Sequence, residues 1–340
     1  MNLKQLSNIL GISQTTVSRA LNGYPEVSEK TRALVLAAAQ KHNYLPNTKA
    51  QALATGKSKM IGFVLPMASQ HEMLNPIFGD FMAGAAQTYR TQGYDTHFAL
   101  TENNKQAETY RDMHAKGSVD GVIVQAPREN DERVAILKEL GLPFVVHGRA
   151  TGKNDYHYVD VNNTHAFINA TNFLLDLGHR RIALINGNEE LDFAIRRNHG
   201  YTQALKDRGI EADPKLMFSS EMTEHFGYET MNKLLAMDQP PTAAVASSYT
   251  LAIGIRRALG ENGLRIGKDF SVVIHDDDLS YLRNGEAQPV FTATRSSIRE
   301  AGQLCAQILM DVIDKPDQKP KQIVLEAQLI VGSSTGPVPQ

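Results

Sequence analysis

Tryptophan is absent from the 340 residues, cysteine occurs once, and aromatic residues make up only 7% of the chain. A single thiol closes no internal disulfide and supplies no paired-cysteine metal motif, which excludes a disulfide scaffold and a cysteine-built zinc site. Cys305 sits in the apolar helical run Leu304 to Ile308 and reads as a buried structural thiol in a reducing compartment. No apolar run approaches the ~18 to 20 residues that cross a bilayer, and no charged-then-apolar export leader opens the sequence. A soluble, cytoplasmic protein with no membrane partner is therefore expected. Neither G-x-G-x-x-G nor G-x-x-x-x-G-K accompanies the turn Ile185-Asn186-Gly187-Asn188, and no Ser/His/acid set is spaced in a way that validates a triad. The expectation is no catalysis, no cofactor and no metal. His275 to Asp278 offers ligand-type side chains, but neighbours on an extended strand end point alternately and do not converge on one ion.

Charge, by contrast, is present and segregated. Met1 to Lys59 carries eight Lys and Arg against two Glu, a net of +6, while the remaining 27 basic and 35 acidic residues leave the rest at −8. A basic head on an acidic body suits a head that meets phosphates, because cation contacts release condensed counterions. Within the head, Leu3, Leu6 and Leu10 recur at helical spacing, Gly11-Ile12-Ser13 reads as a tight turn, and Gln14 to Leu21 predicts a second helix. Its stripe of Val17, Ala20 and Leu21 lies opposite Gln14, Thr15, Ser18, Arg19 and Asn22. Ser13 can cap this helix, and Gly11 supplies the backbone freedom of the turn. A third helix is expected from Ser28 through Leu34, Val35 and Ala38 to about Asn43-Tyr44. Three helices in under 50 residues make a helix-turn-helix headpiece for DNA.

Beyond a linker at Pro46 to Lys59, in which Asn47 can cap a short helix over Thr48 to Ala54, the pattern becomes alternating β and α. Strands are predicted at Met60–Leu65, Asp95–Leu100, Gly121–Val124, Phe144–His147 and Tyr158–Val161, and again at Ile182–Ile185, Ala243–Ala246 and Val272–Ile274, with helices between. Such alternation gives parallel sheets covered on both faces, here in two successive lobes. Ligands bind beyond the carboxyl ends of such strands, so the cleft candidates are Arg149, Asn186, Ser247, Ser248 and His275 to Asp278.

The residues that follow carry a resemblance over nearly the full length. They are Gly11 to Gly23, Val27 to Arg32, Tyr44-Leu45-Pro46-Asn47 with Ala50 to Ala54, Asn75 to Phe78, Leu177 to Ala183, Arg197 to Tyr201, Pro241 to Ala243 and Ser271 to Val273. Together they resemble the lactose/galactose repressor family of bacterial transcription regulators. The resemblance implies a headpiece at 1–46, a hinge helix and linker at 47–59, and a two-lobed, periplasmic-binding-protein-like α/β domain at 60–340 for effector binding and dimerisation. Lobe one would take about 60–161 and 293–318, lobe two about 162–290 and 319–335.

It also implies roles. Gln14, Thr15 and Arg19 fall on base-reading positions of the recognition helix, and Thr16, Ser18, Asn22 and Thr31 on phosphate-contacting ones. Asn47, Gln51 and Leu53 fall on the minor-groove hinge, Leu53 as an apolar wedge or, in the plainer reading, an apolar linker residue. Arg197 and Asp276 match effector-binding positions, where a fork of donors and an acceptor carboxylate complement vicinal hydroxyls; a surface ion pair is the other reading of Arg197. Phe78 and Tyr249 offer faces to a sugar ring. Two departures bear on the ligand: Ser248-Tyr249 stands where many relatives carry Asn-Asp, and Gly148-Arg149, after His147, replaces an acid followed by arginine. Arg149 and His147 thus admit ligand contact or pairing with nearby carboxylates. The tail from Gly332 shows no heptads, so no coiled-coil tetramer is expected. The implied protein is a repressor of carbohydrate genes binding a double-stranded operator as a homodimer, controlled by a sugar such as an α-glucoside or other disaccharide; the alternative is a periplasmic-type sugar receptor.

Overall fold

The computed structural model describes residues 1–44, 56–66, 75–102, 105–152 and 154–339. Two compact units are present: Met1–Lys59 with Gly117–Val119, and Met60–Lys116 with Asp120–Gln340. The hinge residues Asn47, Gln51 and Leu53 lie outside the described residues.

In the first unit, helices α1 (Leu3–Leu10), α2 (Gln14–Leu21) and α3 (Glu29–Lys41) enclose a small core of Leu6, Val17, Ala20, Val27, Val35, Ala39 and Tyr44. Each helix begins on a polar cap that satisfies otherwise unpaired amides. Asn2 and Gln5 form a reciprocal capping box, Ser13 accepts from the Thr16 N–H, and Ser28 accepts from the Thr31 N–H. Gly11 closes α1 at φ 62°, a left-handed conformation that costs glycine nothing. Arg32 Nη2 donates to the Tyr24 carbonyl at 2.8 Å and ties the α2–α3 loop down.

The second unit holds two six-stranded sheets. Lobe one is built on β1 (Met60–Pro66), β2 (Asp95–Thr101), β3 (Gly121–Gln125), β4 (Phe144–His147), β5 (Tyr158–Val161) and β11 (Gln322–Leu325), all parallel, in the order β11-β5-β4-β3-β1-β2. Lobe two uses β6 (Ile182–Asn186), β7 (Met217–Ser219), β8 (Ala243–Ala246), β9 (Ser271–Asp276), β10 (Thr292–Arg295) and β12 (Gln328–Ile330), in the order β12-β10-β9-β8-β6-β7 with β12 antiparallel. Central strands such as Ile182–Asn186 and Ala243–Ala246 are buried throughout, as parallel strands covered on both faces must be.

The helices that cover these sheets are α4 (Pro76–Thr91), α5 (Gln106–Ala115), α6 (Glu132–Leu140) and α11 (Ile298–Asp314) in lobe one, and α7 (Asn163–Asp176), α8 (Asp192–Asp207), α9 (Glu224–Leu235) and α10 (Tyr249–Glu261) in lobe two. Glycine permits the closest crossings. A Cβ on Gly302 would stand 2.1 Å from the Phe81 carbonyl where α11 meets α4, and one on Gly254 would stand 1.9 Å from the Glu224 carbonyl where α10 meets α9. Cys305, on the inner face of α11, is fully buried, and burial pushes its thiol well above the ordinary range.

The lobe boundaries differ from the sequence expectation. Thr292–Arg295, expected to begin the return to lobe one, pairs with β9 in lobe two, and Gln322–Leu325, expected in lobe two, extends the first sheet beside β5. Both are short strands whose sheet is decided by pairing partners rather than by their own residues. The chain therefore passes between lobes after Val161, after Arg295 and after Leu325.

Candidate functional site

Two places gather the predicted residues. On α2, Gln14, Thr15 and Arg19 are exposed on the side away from buried Val17 and Ala20. Thr15 and Arg19 are four residues apart and so share one helical face. The predicted phosphate-contacting residues are partly engaged in caps: Thr16 shares a hydrogen bond with Ser13 Oγ at 2.9 Å, Thr31 shares one with Ser28 Oγ at 2.9 Å, and Asn22 Nδ2 donates to the Ser18 carbonyl at 2.9 Å. The two hydroxyl pairs hold the amino ends of α2 and α3 in shape, where unpaired amides favour an anion, and the Asn22 bond closes the carboxyl end of α2.

The second place lies at the carboxyl ends of the strands. Arg197 on α8 is buried, yet it is bound by neutral groups: Nε donates to Asn163 Oδ1 at 2.8 Å and Nη1 to the Ser247 carbonyl at 2.7 Å. Its guanidinium lies 4.9 Å from the Phe193 ring centroid and 5.3 Å from that of Phe167. No hydrogen bond reaches Nη2 from the described residues. Burial lowers the Arg197 pKa to about 10, opposed by the charges of Asp277 and Asp160, so the side chain remains a cation at neutral pH.

Of the two acids expected at the end of β9, Asp277 is the one whose charge acts on Arg197. Asp276 is buried, accepting from Arg295 Nε at 3.0 Å and from the Asp278 N–H at 3.0 Å. Burial works to raise the Asp277 carboxyl, but contact with His275 and the charge of Arg197 outweigh it and hold it below the ordinary range. His275 Nε2 lies 3.5 Å from Asp277 Oδ1, and the ring is boxed in by Thr294 and Ser296 hydroxyls at 3.4 Å. Asp278 follows at φ 55°, a left-handed conformation uncommon for aspartate that turns the chain at this point.

On lobe one, His147 packs against Phe81 with ring centroids 4.7 Å apart. Burial drives its pKa down to about 4 despite the charge of Asp277, so it is a neutral imidazole at physiological pH. Arg149 is paired with buried Asp160, Nε to Oδ2 at 2.8 Å. Burial raises Asp160 to about 6 in spite of that partner. The sequence offered ligand contact or carboxylate pairing for Arg149, and the structure shows the pairing.

Other predicted residues have structural tasks. Ser248 caps α10 by accepting from the Leu251 N–H. Tyr249 donates to the Arg283 carbonyl at 3.3 Å and meets Phe291 edge-on at 5.4 Å. Asn186 is fully occupied by Glu189, the Ala194 carbonyl, the Gly187 N–H and Ser247 Oγ. Phe78 belongs to a three-ring cluster with Phe63 and Phe98; the ring beside His147 is Phe81, three residues further along α4.

Sequence reasoning missed several participants. Gln125, in register with His147 across β3 and β4, has a buried amide nitrogen with no hydrogen-bond partner among the described residues. Asp192 joins the lobes: its N–H donates to the Pro127 carbonyl at 2.9 Å and its carboxylate accepts from Thr151. Three residues past Asp277, Ser280 donates from N and Oγ to Asp80 on α4, both at 2.7 Å, and Arg299 completes the cluster at 2.6 Å. Among the described residues, no group of three or more His, Cys, Asp or Glu is placed to hold a metal ion, and no helix is long and apolar enough to cross a membrane.

Residues 4–47 match the bacterial regulatory proteins of the lacI family, and residues 171–335 match a periplasmic binding protein-like domain. The HTH-type transcriptional regulator AglR of Rhizobium meliloti is 47% identical over 342 residues, covering 100% of this chain and 95% of that protein. The chain belongs to the lacI family of bacterial regulatory proteins. This lacI-family regulator superimposes on the CelR–cellobiose complex with a TM-score of 0.72 at 28% identity, over 98% of this chain and 99% of that one. It shares its fold with the lac repressor dimer bound to operator and the anti-inducer ONPF, TM-score 0.83 at 23% identity, over 99% of each chain. The family is one of DNA-binding transcriptional regulators rather than enzymes, and the alternative of a periplasmic-type receptor is set aside because the full-length relatives are regulators.

Proposed function

We propose that this regulator is a cytoplasmic homodimeric repressor of carbohydrate genes, in which a sugar bound between the lobes governs the grip of the headpiece on an operator. The observation that carries the reading is Arg197: a buried guanidinium, fixed by Asn163 and the Ser247 carbonyl, with Nη2 unbonded by the described residues and the charge of Asp277 acting both on it and on His147. A donor fork opposite a carboxylate complements vicinal hydroxyls. The cellobiose complex of CelR supports a sugar of disaccharide size. Phe78, Arg149, Ser248, Tyr249 and Asp276 then shape the cleft walls, behind His147, Arg197 and Asp277.

On DNA, Gln14, Thr15 and Arg19 would read base edges, Thr16, Ser18, Asn22 and Thr31 would hold phosphates, and Asn47, Gln51 and Leu53 would enter the minor groove, the last three on sequence grounds alone. Two heads on a palindrome require a dimer, and Tyr281, 87% exposed beside a groove lined by Pro76, Thr250 and Leu282, supports self-association. The ligand shifts the DNA equilibrium only by its differential affinity for the two states. The test is operator binding by fluorescence anisotropy over a salt series with added disaccharides. Arg19→Ala should reduce discrimination between operator and bulk DNA more than Thr16→Ala does, with an expected cost of about 1–3 kcal/mol. Equal discrimination in both variants would refute the base-reading role.

A further inference from the structure

The two lobes hold each other through protein groups alone, at a place remote from the chain crossovers. The crossovers use strands at one edge of each sheet, β5 and β11 in lobe one and β10 and β12 in lobe two. The inter-lobe contact joins the segments after β3 and β6, two and three strands further in, which at the usual strand spacing gives it a lever arm of about 10–15 Å. There Arg128 and Leu191 form an isolated antiparallel bridge, the Asp192 N–H donates to the Pro127 carbonyl at 2.9 Å, Thr151 Oγ1 donates to Asp192 Oδ1, and Arg128 Nη2 lies 3.5 Å from Glu190 Oε2. From this arrangement we propose that residues 126–131 with Thr151 in lobe one and residues 188–192 in lobe two are a latch, which holds the cleft shut and sets how often it opens.

Both halves are built to keep their shape. In lobe one, Ala126 and Asn130 take φ 45° and 52°, left-handed conformations that cost free energy without glycine, and such strain gathers at switch segments. Asp131 and Arg133 hold this turn in place: Arg133 Nη2 donates to the Gln125 and Ala126 carbonyls, each at 3.2 Å, and the Arg128 N–H donates to Asp131 Oδ2 at 3.0 Å. In lobe two, Asp192 is buried, and Arg196 Nε donates to Oδ2, which leaves Oδ1 for Thr151. A buried carboxylate loses stability with each donor withdrawn, so the latch favours the shut arrangement. Asp192 also opens α8, the helix that carries Arg197. The element released when the latch parts is therefore the one that bears the effector arginine.

The inference goes beyond the sugar reading, and its test needs no ligand. Hydrogen–deuterium exchange of the full-length protein, read by mass spectrometry over residues 187–195, reports opening directly, because the Asp192 amide is itself an inter-lobe donor. Thr151 is an exposed loop residue, and Thr151→Val removes its donor at nearly constant size without threatening the fold. This variant should lower the protection of residues 187–195 about 10-fold and leave residues 182–186 of β6 unchanged. Asp192→Asn should lower it at least as much, and the double variant should add little, because both changes act on one bond. Thr151→Ser, which keeps the hydroxyl, should retain native protection. Unchanged protection of residues 187–195 in Thr151→Val overturns the latch. Equal loss of protection over residues 182–186 overturns it as well, since the bond would then support the fold of lobe two rather than its closure on lobe one.

Discussion

The two lobes share a scaffold and differ at the rim. Both carry a six-stranded sheet, and both bring two helices together across a glycine, Gly302 in lobe one and Gly254 in lobe two. Each also presents a candidate arginine near the carboxyl ends of its strands, but Arg149 is neutralised by Asp160 of its own lobe, whereas Arg197 is positioned by uncharged groups and keeps a donor edge. A duplicated framework leaves the ligand chemistry free to diverge. Lobe two supplies the directed charge, and lobe one supplies a neutral wall of His147 and Phe81.

The largest effect should come from exchanging the arginines for alanine. Arg197→Ala is expected to weaken effector binding about 100-fold and abolish the operator response, because a desolvated and hydrogen-bonded charge is lost, while Arg149→Ala costs about 10-fold or less. Calorimetric titration of each variant decides, and equal losses would erase the difference between the lobes. Next in size is the scaffold they share. Gly302→Ala and Gly254→Ala should each destabilise the fold by about 1–3 kcal/mol, since the added methyl meets a backbone carbonyl that cannot yield. Urea unfolding measures this, and a neutral result at either site would show that its crossing is looser than described.

A smaller effect separates two groups within lobe one by the sign of their pH dependence. Asp160, raised from 3.8 to about 6, holds in the folded state a proton that the unfolded chain has lost, so its contribution to stability falls as pH rises between those values. His147, lowered from 6.5 to about 4, does the opposite: the unfolded chain binds the extra proton, and stability rises with pH across that window. Asp160→Asn should therefore steepen the rise in melting temperature from pH 4 to 6.5, and His147→Gln should flatten it. Matching slopes in the two variants would contradict the assignment. The smallest expected change is Tyr249→Phe, which removes one long hydrogen bond to Arg283 and should alter stability by about 0.5–1.5 kcal/mol at most.

Legibility in the sequence followed locality. The head helices were readable because caps and apolar spacing lie within a few residues, and Ser13, Ser28 and Gly11 do in the structure what their chemistry suggests. Central strands were readable as apolar runs. Met217–Ser219, Thr292–Arg295 and Gln322–Leu325 were not, because they are short and acquire strand geometry from a neighbour distant in sequence. At the cleft, Arg197 and His147 could be named as candidates from their place after strands and in motifs, but Asp276 and Asp277 are chemically identical neighbours. Their surroundings differ, Arg295 for Asp276 and His275 for Asp277, in a way that composition does not announce. Phe78 and Phe81, one helical turn apart on α4, likewise differ only in surroundings, Phe78 meeting Phe63 and Phe81 meeting His147. Asp160 and Gln125 gave no signal, since a polar residue at a strand end is ordinary until its surroundings are known.

Cys305 makes lobe one a reporter on itself. Its sulfur is sealed inside α11 and resists ionisation, so a thiol reagent can modify it only during excursions in which that lobe opens. With no second cysteine to confuse the signal, the labelling rate with and without ligand or operator gives the opening frequency of one lobe in the intact protein, with no engineered probe.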